Sequence, residues 1–161
     1  MKPLFTFLAF ALSLAAGEPV QTPVFVSGKG GYHTYRIPVL LATPPGTLLA
    51  FAEGRADGSS DAGNIDLVFR RSIDNGRTWS STAVICDDGP HTCGNPAPVV
   101  DQETGLIHLL LTRNIGSDDE RSIMLGTSQD IRRVWYTQST DDGLTWATPR
   151  DLSGSVREAN W

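Results

Sequence analysis

Charged side chains interrupt the apolar pattern early in the chain, where a buried strand would not need them. Arg36 stands just before one apolar run, and Glu53 and Arg55 end the next run. Asp57 and Asp61 lie in the polar loop that follows. A guanidinium is a fixed fork that binds a carboxylate through two hydrogen bonds. A carboxylic acid in a neighbouring loop protonates a leaving oxygen when burial raises its pKa. These residue types predict a site that holds an acidic ligand beside a proton donor.

The same residues have a structural interpretation, which stays open at this stage. Arg36 and Glu53 have opposite charges on neighbouring predicted strands, so they could form a buried ion pair of the scaffold. Asp61 could be a solvated loop residue. Residue types alone do not choose between the two interpretations.

Two cysteines flank a Gly-Pro turn in the segment Cys86-Asp-Asp-Gly-Pro-His-Thr-Cys93. His91 lies between them, so the sequence also leaves a metal site open. In an exported protein, however, two thiols this close favour a disulfide, which would add roughly 2–3 kcal/mol on the chain-entropy model. We therefore predict a Cys86–Cys93 disulfide and no metal site.

The pattern S-x-D-x-G-x-T-W occurs twice, at Ser72–Trp79 and Ser139–Trp146, and the two octets start 67 residues apart. The Asp carboxylate accepts backbone N–H groups, the Gly supplies a positive φ, and the Trp packs the turn onto its sheet. An internal repeat at this spacing indicates an array of supersecondary units. We expect the octets to be structural and to catalyse nothing.

Short apolar runs between turns predict β strands around each octet. Pro38 is expected to bias Ile37 toward an extended backbone at the start of the first strand. The predicted strands lie at residues 35–42, 47–53, 65–71 and 82–85, and then at 97–100, 106–112 and 131–138. A polar loop is expected over residues 114–130. The chain is therefore predicted to be all-β and built from repeated four-stranded meanders.

Radial repetition of such meanders is the plan of a β-propeller, which needs at least about four blades to close. The sequence holds about two to two and a half units, so we expect an incomplete propeller. A complete small β-sandwich is the alternative, and the restart of the pattern argues against it.

The N-terminus resembles a secretory signal peptide, because a short apolar run follows Met1-Lys2 and ends in small residues. We predict a signal peptide at residues 1–17, a propeller segment at 18–161, and a secreted, extracellular or periplasmic location. The run is too short to span a membrane, and no transmembrane segment is expected in the mature chain. The net charge of −5 and the lack of a basic cluster exclude nucleic acid as a partner.

Several motifs together resemble the exo-α-sialidase (neuraminidase) family from about residue 24 to residue 161. They are Tyr35-Arg-Ile-Pro38, Phe51-Ala-Glu-Gly-Arg55, the stretch Cys93–Asp101 and the two octets. The resemblance implies a six-bladed β-propeller that removes terminal α-linked sialic acid from glycoproteins, glycolipids and oligosaccharides. It implies retention of configuration with a Tyr nucleophile, and no cofactor.

The resemblance also implies roles for individual residues. Arg36 matches the first of three arginines that clamp the sialic acid carboxylate, and Asp61 matches the general acid and base, with Asp57 well behind it. Arg55 matches an arginine on the O4 side of the sugar. Asn95 matches a position by the N-acetyl pocket.

The chain departs from the family pattern in one respect. The nucleophilic Tyr, its Glu partner and the other two clamp arginines belong to later parts of the family sequence, and Tyr32, Tyr35 and Tyr136 do not match the nucleophile's context. We therefore expect this chain alone to be inactive. Two alternatives remain open, a non-catalytic sialoglycan-binding propeller and a trans-sialidase.

Overall fold

A computed structural model describes residues 21–156 and residue 158. The predicted signal peptide, residues 1–17, lies outside the described residues. Eight strands and two short helices follow one another along the described part of the chain. The strands are β1 (Thr34–Ala42), β2 (Leu48–Arg55), β3 (Ile65–Ser72), β4 (Ala83–Cys86), β5 (Thr92–Val100), β6 (Ile107–Asn114), β7 (Arg133–Ser139) and β8 (Arg150–Asp151); the helices are α1 (Glu120–Leu125) and α2 (Ser153–Val156).

The strands form two antiparallel meanders, which we call blade 1 (β1–β4) and blade 2 (β5–β8). A single parallel bridge between Ile65 and Thr92 joins β3 to β5. The sheet is open, and its two consecutive meanders confirm the prediction of a partial propeller rather than a closed sandwich. No helix in the described part of the chain is long and apolar enough to cross a membrane.

The hydrophobic core lies between the two blades. Leu49 and Phe51 of β2 are fully buried, and so are Leu109 of β6 and Leu111 beside it. Trp146 of the second octet stands edge-on to the rings of Phe51 and Phe69, with both centroid distances at 5.8 Å. The strand β2 is buried along nearly its whole length. In β6, by contrast, the buried residues Ile107, Leu109 and Leu111 alternate with less buried ones, because successive residues of a strand point to opposite faces.

Both octets form the expected turns. In the first octet, Asp74 accepts a bond from the Thr78 backbone N–H at 2.9 Å and one from the Thr78 hydroxyl at 2.6 Å. The Ser72 hydroxyl accepts the Gly76 N–H at 2.9 Å and donates to Asp74 at 2.8 Å. The second octet repeats these bonds around Asp141.

The second octet also joins the two blades, which the sequence did not predict. The Asp142 carboxylate accepts a hydrogen bond from the Thr47 hydroxyl at 2.5 Å and forms an ion pair with Arg71 at 2.6 Å. Both partners belong to blade 1. Arg71 additionally donates to the Asp142 carbonyl at 3.0 Å. We call these contacts the interblade clasp.

Matching bulges interrupt β1 and β5 at the residue before a proline. Ile37, before Pro38, has a φ of 52°, and Asn95, before Pro96, has the same value. The expectation of an extended Ile37 was therefore wrong. Each bulge places two residues opposite one on the neighbouring strand, and this register constraint overrides the local preference of a residue before proline. A β-branched residue at positive φ is strained by about 1–3 kcal/mol, and such strain concentrates at functional sites.

Two further features differ from the sequence-based expectation. The loop expected over residues 114–130 contains α1, which Asp119 caps by accepting the Ser122 N–H at 2.7 Å. A two-residue strand, β8, completes blade 2 beyond the second octet. Neither has an apolar period long enough to be recognised in the sequence.

Candidate functional site

The candidate residues meet at one end of the sheet, where β1 begins and β2 ends. Arg36 and Glu53 are register partners across these two strands. The loop of residues 56–64 follows β2 and returns to β3, and β5 starts beside it. The β6–β7 connection packs against this loop, because Gly116 lies against Gly63 and Pro90.

Arg36 is paired with Asp61 rather than with Glu53. Its Nη1 donates to Asp61 Oδ1 at 2.9 Å, and the two side chains are 45% and 69% exposed. The structural alternative of a buried Arg36–Glu53 pair is therefore wrong, because the Glu53 carboxylate is already bonded to Arg55. An exposed guanidinium whose partner is an exposed loop carboxylate can exchange that partner for an incoming anion.

Arg55 is buried, with a side chain only 3% exposed, and all five of its N–H donors are engaged. Nε and Nη2 donate to Glu53 Oε2 at 3.1 and 2.6 Å. Nη1 donates to the carbonyls of Ser59 and Ser60, each at 2.7 Å. Nη2 also contacts Asp61 Oδ1 at 2.7 Å. Arg55 therefore organises the loop that presents Asp61.

The pKa of Asp61 is lowered from its ordinary value. The main cause is the hydrogen bond from Arg55, and the positive charges of Arg55 and Arg36 act in the same direction. Without a ligand, Asp61 is thus an ionised carboxylate. A raised pKa, which a general acid needs at neutral pH, requires a change at this pair.

Comparison with known proteins identifies the family. Residues 46–160 match the family model described as BNR repeat-like domain. The chain is 37% identical over 164 residues to an exo-alpha-sialidase of Arthroderma benhamiae, covering 91% of this chain and 39% of that protein. The chain belongs to the BNR-repeat sialidase family.

Other sialidases give consistent comparisons. The exo-alpha-sialidase of Aspergillus fumigatus is 34% identical, covering 88% of this chain and 39% of its own length. Among solved structures, the Hadza microbial sialidase Hz136 superposes with a TM-score of 0.75 at 27% identity, over 84% of this chain and 29% of that one. The NanB sialidase of Streptococcus pneumoniae superposes with a TM-score of 0.67 at 14% identity, over 81% of this chain and 38% of that one, and this comparison shows a likeness of fold. This sialidase-family chain thus spans about two fifths of the length of the fungal relatives it matches.

Asn95 and Asp57 have distinct places around the site of this sialidase-family chain. Asn95 is exposed at the β5 bulge, where its backbone N–H donates to Glu53 Oε1 at 3.0 Å and its Nδ2 donates to Thr112 at 2.9 Å. Asp57 is exposed and lines a cavity of about 160 Å³ within the loop. The structure brings Asp61, the residue ranked first, to Arg36. The predicted ligand contacts of Arg36, Arg55 and Asn95 stay predictions.

The tyrosine hydroxyls have structural partners. Tyr32 donates to Asp66 at 2.6 Å, and Tyr35 donates to the Lys29 carbonyl at 2.8 Å. The Tyr136 hydroxyl bonds Gln138 at 2.7 Å and His108 at 2.8 Å. None of these three hydroxyls is hydrogen-bonded to Arg36 or Asp61. That the chain lacks the family's nucleophile stays a prediction.

Cys86 and Cys93 face each other, with a sulfur–sulfur distance of 2.7 Å between two buried thiols. The hydrogen bond between the thiols, followed by burial, raises the pKa of Cys93. The predicted disulfide stays a prediction, and the mass of the alkylated chain with and without prior reduction tests it. His91 accepts a hydrogen bond from the Gly116 N–H at 3.2 Å, so it belongs to the loop scaffold.

Glu53 is the site residue whose role the sequence did not reveal. In the sequence, Glu53 is a charge at the end of an apolar run, a possible partner of Arg36 and a member of the Phe51–Arg55 motif, but none of these signals indicates its bonds to Arg55 and to the Asn95 backbone. Its carboxylate is 4% exposed and is bonded both to Arg55 and to the Asn95 backbone.

Proposed function

We propose that this chain is part of an exo-α-sialidase that hydrolyses terminal α-linked sialic acid from glycoproteins, glycolipids and oligosaccharides. The observation that carries the proposal is the exposed Arg36 fork, held at the end of the sheet by an exposed carboxylate that a substrate can displace. Sialic acid carries the carboxylate that such a fork binds. The names of the fungal relatives support the same substrate class.

The proposed mechanism begins with an exchange at Arg36. The sugar carboxylate takes the place of Asp61 on the guanidinium, so Asp61 loses one of the two cations that keep its pKa low. Exclusion of water by the bound sugar raises that pKa further. With its pKa raised, Asp61 takes up a proton from solvent as the sugar binds, gives that proton to the glycosidic oxygen, and later takes one from the attacking water. A tyrosine nucleophile in a later part of the full-length protein would give retention.

We also propose that this chain alone binds the sugar without turning it over. The tyrosine hydroxyls are committed to Asp66, Lys29 and the His108–Gln138 pair, so none is free to attack the sugar at Arg36. Asn95, exposed beside the site, is proposed to face the N-acetyl group.

Binding of free sialic acid to the chain, followed by NMR, tests the proposal. Arg36→Ala should weaken binding about tenfold or more, because a hydrogen bond to a charged group contributes about 1.5–3 kcal/mol. Arg77→Ala, which removes an exposed arginine of the first octet, is the matched control and should change nothing. The methyl ester of sialic acid should bind as weakly to the natural chain as the free acid binds to Arg36→Ala. Equal affinity for acid and ester would refute the proposal.

We propose further that residues 1–17 direct export and are removed, as the sequence pattern suggested. Expression in a secreting host followed by N-terminal sequencing of the medium tests this point. A mature chain that begins at Glu18 is expected, and a chain retained in the cell with Met1 intact contradicts it.

A further inference from the structure

A buried carboxylate lies behind the candidate acid and connects two separate parts of the site. Glu53 is 4% exposed, and its two oxygens face different partners. Oε2 accepts from Nε and Nη2 of Arg55, whereas Oε1 accepts from the Asn95 backbone N–H. Because a buried carboxylate needs partners on both oxygens, Glu53 holds the two groups in fixed positions relative to each other.

Arg55 transmits that position to the loop. The guanidinium is planar and rigid, so fixing Nε and one Nη against Glu53 also fixes where its other N–H bonds point. Those bonds go to the carbonyls of Ser59 and Ser60 and to the carboxylate of Asp61. The loop therefore has three successive residues attached to one guanidinium whose own orientation depends on Glu53.

The opposite side of Glu53 is fixed by a close approach to β5. A Cβ placed on Gly94 would lie 2.3 Å from Glu53 Oε1. The β5 backbone therefore approaches the Glu53 carboxylate more closely than a residue with a side chain at position 94 would permit. The bulge that follows turns the Asn95 N–H onto that oxygen. Glu53 is thus held between the two blades, on a strand that also carries Arg55.

We propose that Glu53 is a positioning residue, which acts through Arg55 to hold Asp61 beside Arg36 and which ties that position to the β5 bulge. The inference rests on the proposed role of Asp61. It adds a residue in blade 1 whose effect on the acid is indirect, and it gives Gly94 of blade 2 a part in the same arrangement.

Titration of Asp61 separates positioning from simple electrostatics. If Glu53 acted only as a negative charge, its removal would leave Asp61 in a more positive environment, and the Asp61 pKa would fall. If Glu53 positions Arg55, its removal frees the guanidinium, the hydrogen bond to Asp61 weakens, and the Asp61 pKa rises. The two roles therefore predict shifts of opposite sign. Arg36, Arg55 and Glu53 are the charged groups that the ion-pair contacts place around this carboxylate.

The experiment is an NMR titration of side-chain carboxyl carbons in the ligand-free chain, with the Asp61 signal assigned by Asp61→Asn. Glu53→Gln should raise the Asp61 pKa by about half a pH unit or more, which is within the shifts of about one unit that folded proteins commonly impose on aspartates. Gly94→Ala, which changes no charge but displaces Glu53, should shift it in the same direction. Glu103→Gln removes an exposed carboxylate in the β5–β6 turn and should leave it unchanged.

A fall or no change in the Asp61 pKa in both Glu53→Gln and Gly94→Ala overturns the proposal. If Glu53→Gln does not fold, the Asp61 pKa in Gly94→Ala and in Arg55→Lys tests the proposal. Arg55→Lys keeps the positive charge but loses the guanidinium fork, so it should also raise the Asp61 pKa. The titration needs no ligand, so its result is independent of sialic acid binding. Loss of the proposed function would appear in the Arg36→Ala binding comparison, while failure of the positioning role would appear only here.

Discussion

At the scale of single residues, the site is defined by which carboxylate each guanidinium takes. Two arginines and two carboxylates lie close together, and the exposed pair is Arg36 with Asp61 while the buried pair is Arg55 with Glu53. Asp61 also touches Arg55, so the exposed carboxylate is shared between a cation available to ligands and a cation committed to the scaffold. This sharing makes Asp61 a competitor of any anion that approaches Arg36.

That competition gives a prediction for Asp61→Asn. In the ligand-free chain Asp61 is ionised, because its pKa is lowered by Arg55 and Arg36. Removing its charge should tighten sialic acid binding at neutral pH by up to about fivefold, since an exposed ion pair contributes about 0–1 kcal/mol. Calorimetric or NMR titration of the two chains measures the difference.

The same substitution should have the opposite effect on turnover in the full-length protein. There, loss of a general acid typically costs about 10²–10⁴-fold in rate. Asp57→Asn is the matched control, because Asp57 lies in the same loop without contacting Arg36. Equal effects of Asp57→Asn and Asp61→Asn on binding would contradict the assignment of Asp61.

Part of this residue-level arrangement was predictable. The motif around Arg36 and the position of Asp61 in the following loop predicted that the two would serve one site, and the structure brings them together. The partners of Glu53 were not predictable, because one of them is the backbone N–H of Asn95 at the β5 bulge. Asn95 precedes a proline and has a positive φ there, which the local preference of such a residue argues against. Sequence spacing carries no information on such a register shift.

At the scale of elements, the octet is both a turn and a contact between blades. Its Asp at the third position closes the turn in both copies. The fourth position differs: Asn75 in the first octet corresponds to Asp142 in the second, where the carboxylate forms the interblade clasp with Thr47 and Arg71. Both residues have a positive φ, near 60°. The sequence predicted the turn from its repeat, but a contact 71 residues away in the chain leaves no local pattern.

The interblade clasp predicts a measurable coupling between Asp142 and Arg71. Both side chains are less than a quarter exposed, so their ion pair is screened less than a surface pair. A double-mutant cycle with Asp142→Asn and Arg71→Gln should give a coupling of about 1–2 kcal/mol in the free energy of unfolding. Asn at position 142 keeps the tolerance for positive φ, so backbone strain does not enter.

The control for that cycle pairs Asp142→Asn with Arg113→Gln. Arg113 contacts Asp88 and Asp130 and shares no partner with Asp142. These two changes should add independently, within about 0.5 kcal/mol. Urea unfolding of the four variants in each cycle supplies the free energies. Additivity in the Asp142–Arg71 cycle as well would show that the interblade clasp does not stabilise the fold.

The octets also predict how the fold responds to acid. Hydrogen bonds from Thr78 and Thr145 lower the pKa of Asp74 and of Asp141 to about 2 each. A carboxyl with a depressed folded-state pKa stabilises the fold above its unfolded pKa, and that stabilisation is lost as the pH falls from about 4 toward 2.

Asp141→Asn should therefore lower stability at neutral pH and make the loss of stability between pH 4 and pH 2 shallower, by up to about one bound proton. Glu103→Gln should leave the slope as it is in the natural chain. Chemical unfolding at a series of pH values provides the slope. An unchanged slope in Asp141→Asn would show that the octet carboxylate does not contribute to acid sensitivity.

At the scale of the whole molecule, the two blades share one hydrophobic core. The buried faces of β2, β3 and β6 pack on one another, so neither blade encloses a core by itself. The short apolar runs predicted the strands themselves. They did not mark a core face in β2, because that strand is buried along nearly its whole length and shows no period of two. Which face of which meander meets its neighbour was set by the crossover from β4 to β5, and that choice has no local signature in the sequence.

The shared core predicts that the blades unfold together and that Trp146 is needed for it. Trp146 comes from blade 2 but packs edge-on against Phe51 and Phe69 of blade 1. Its truncation to alanine should lower the free energy of unfolding by about 3 kcal/mol, the lower end for a large core aromatic because this ring is partly exposed.

Trp79→Ala is the matched control: Trp79 holds the same octet position, bonds its own turn through the Gly76 carbonyl at 3.1 Å, and is not part of the core cluster. Its loss should cost about 1 kcal/mol, the worth of one hydrogen bond. Urea unfolding followed by fluorescence and circular dichroism should give one coincident transition in the natural chain and in Trp79→Ala. If Trp146→Ala and Trp79→Ala were equally destabilising, the second octet would be a turn like the first, and the joining of the blades would have to come from the aliphatic core and the interblade clasp alone.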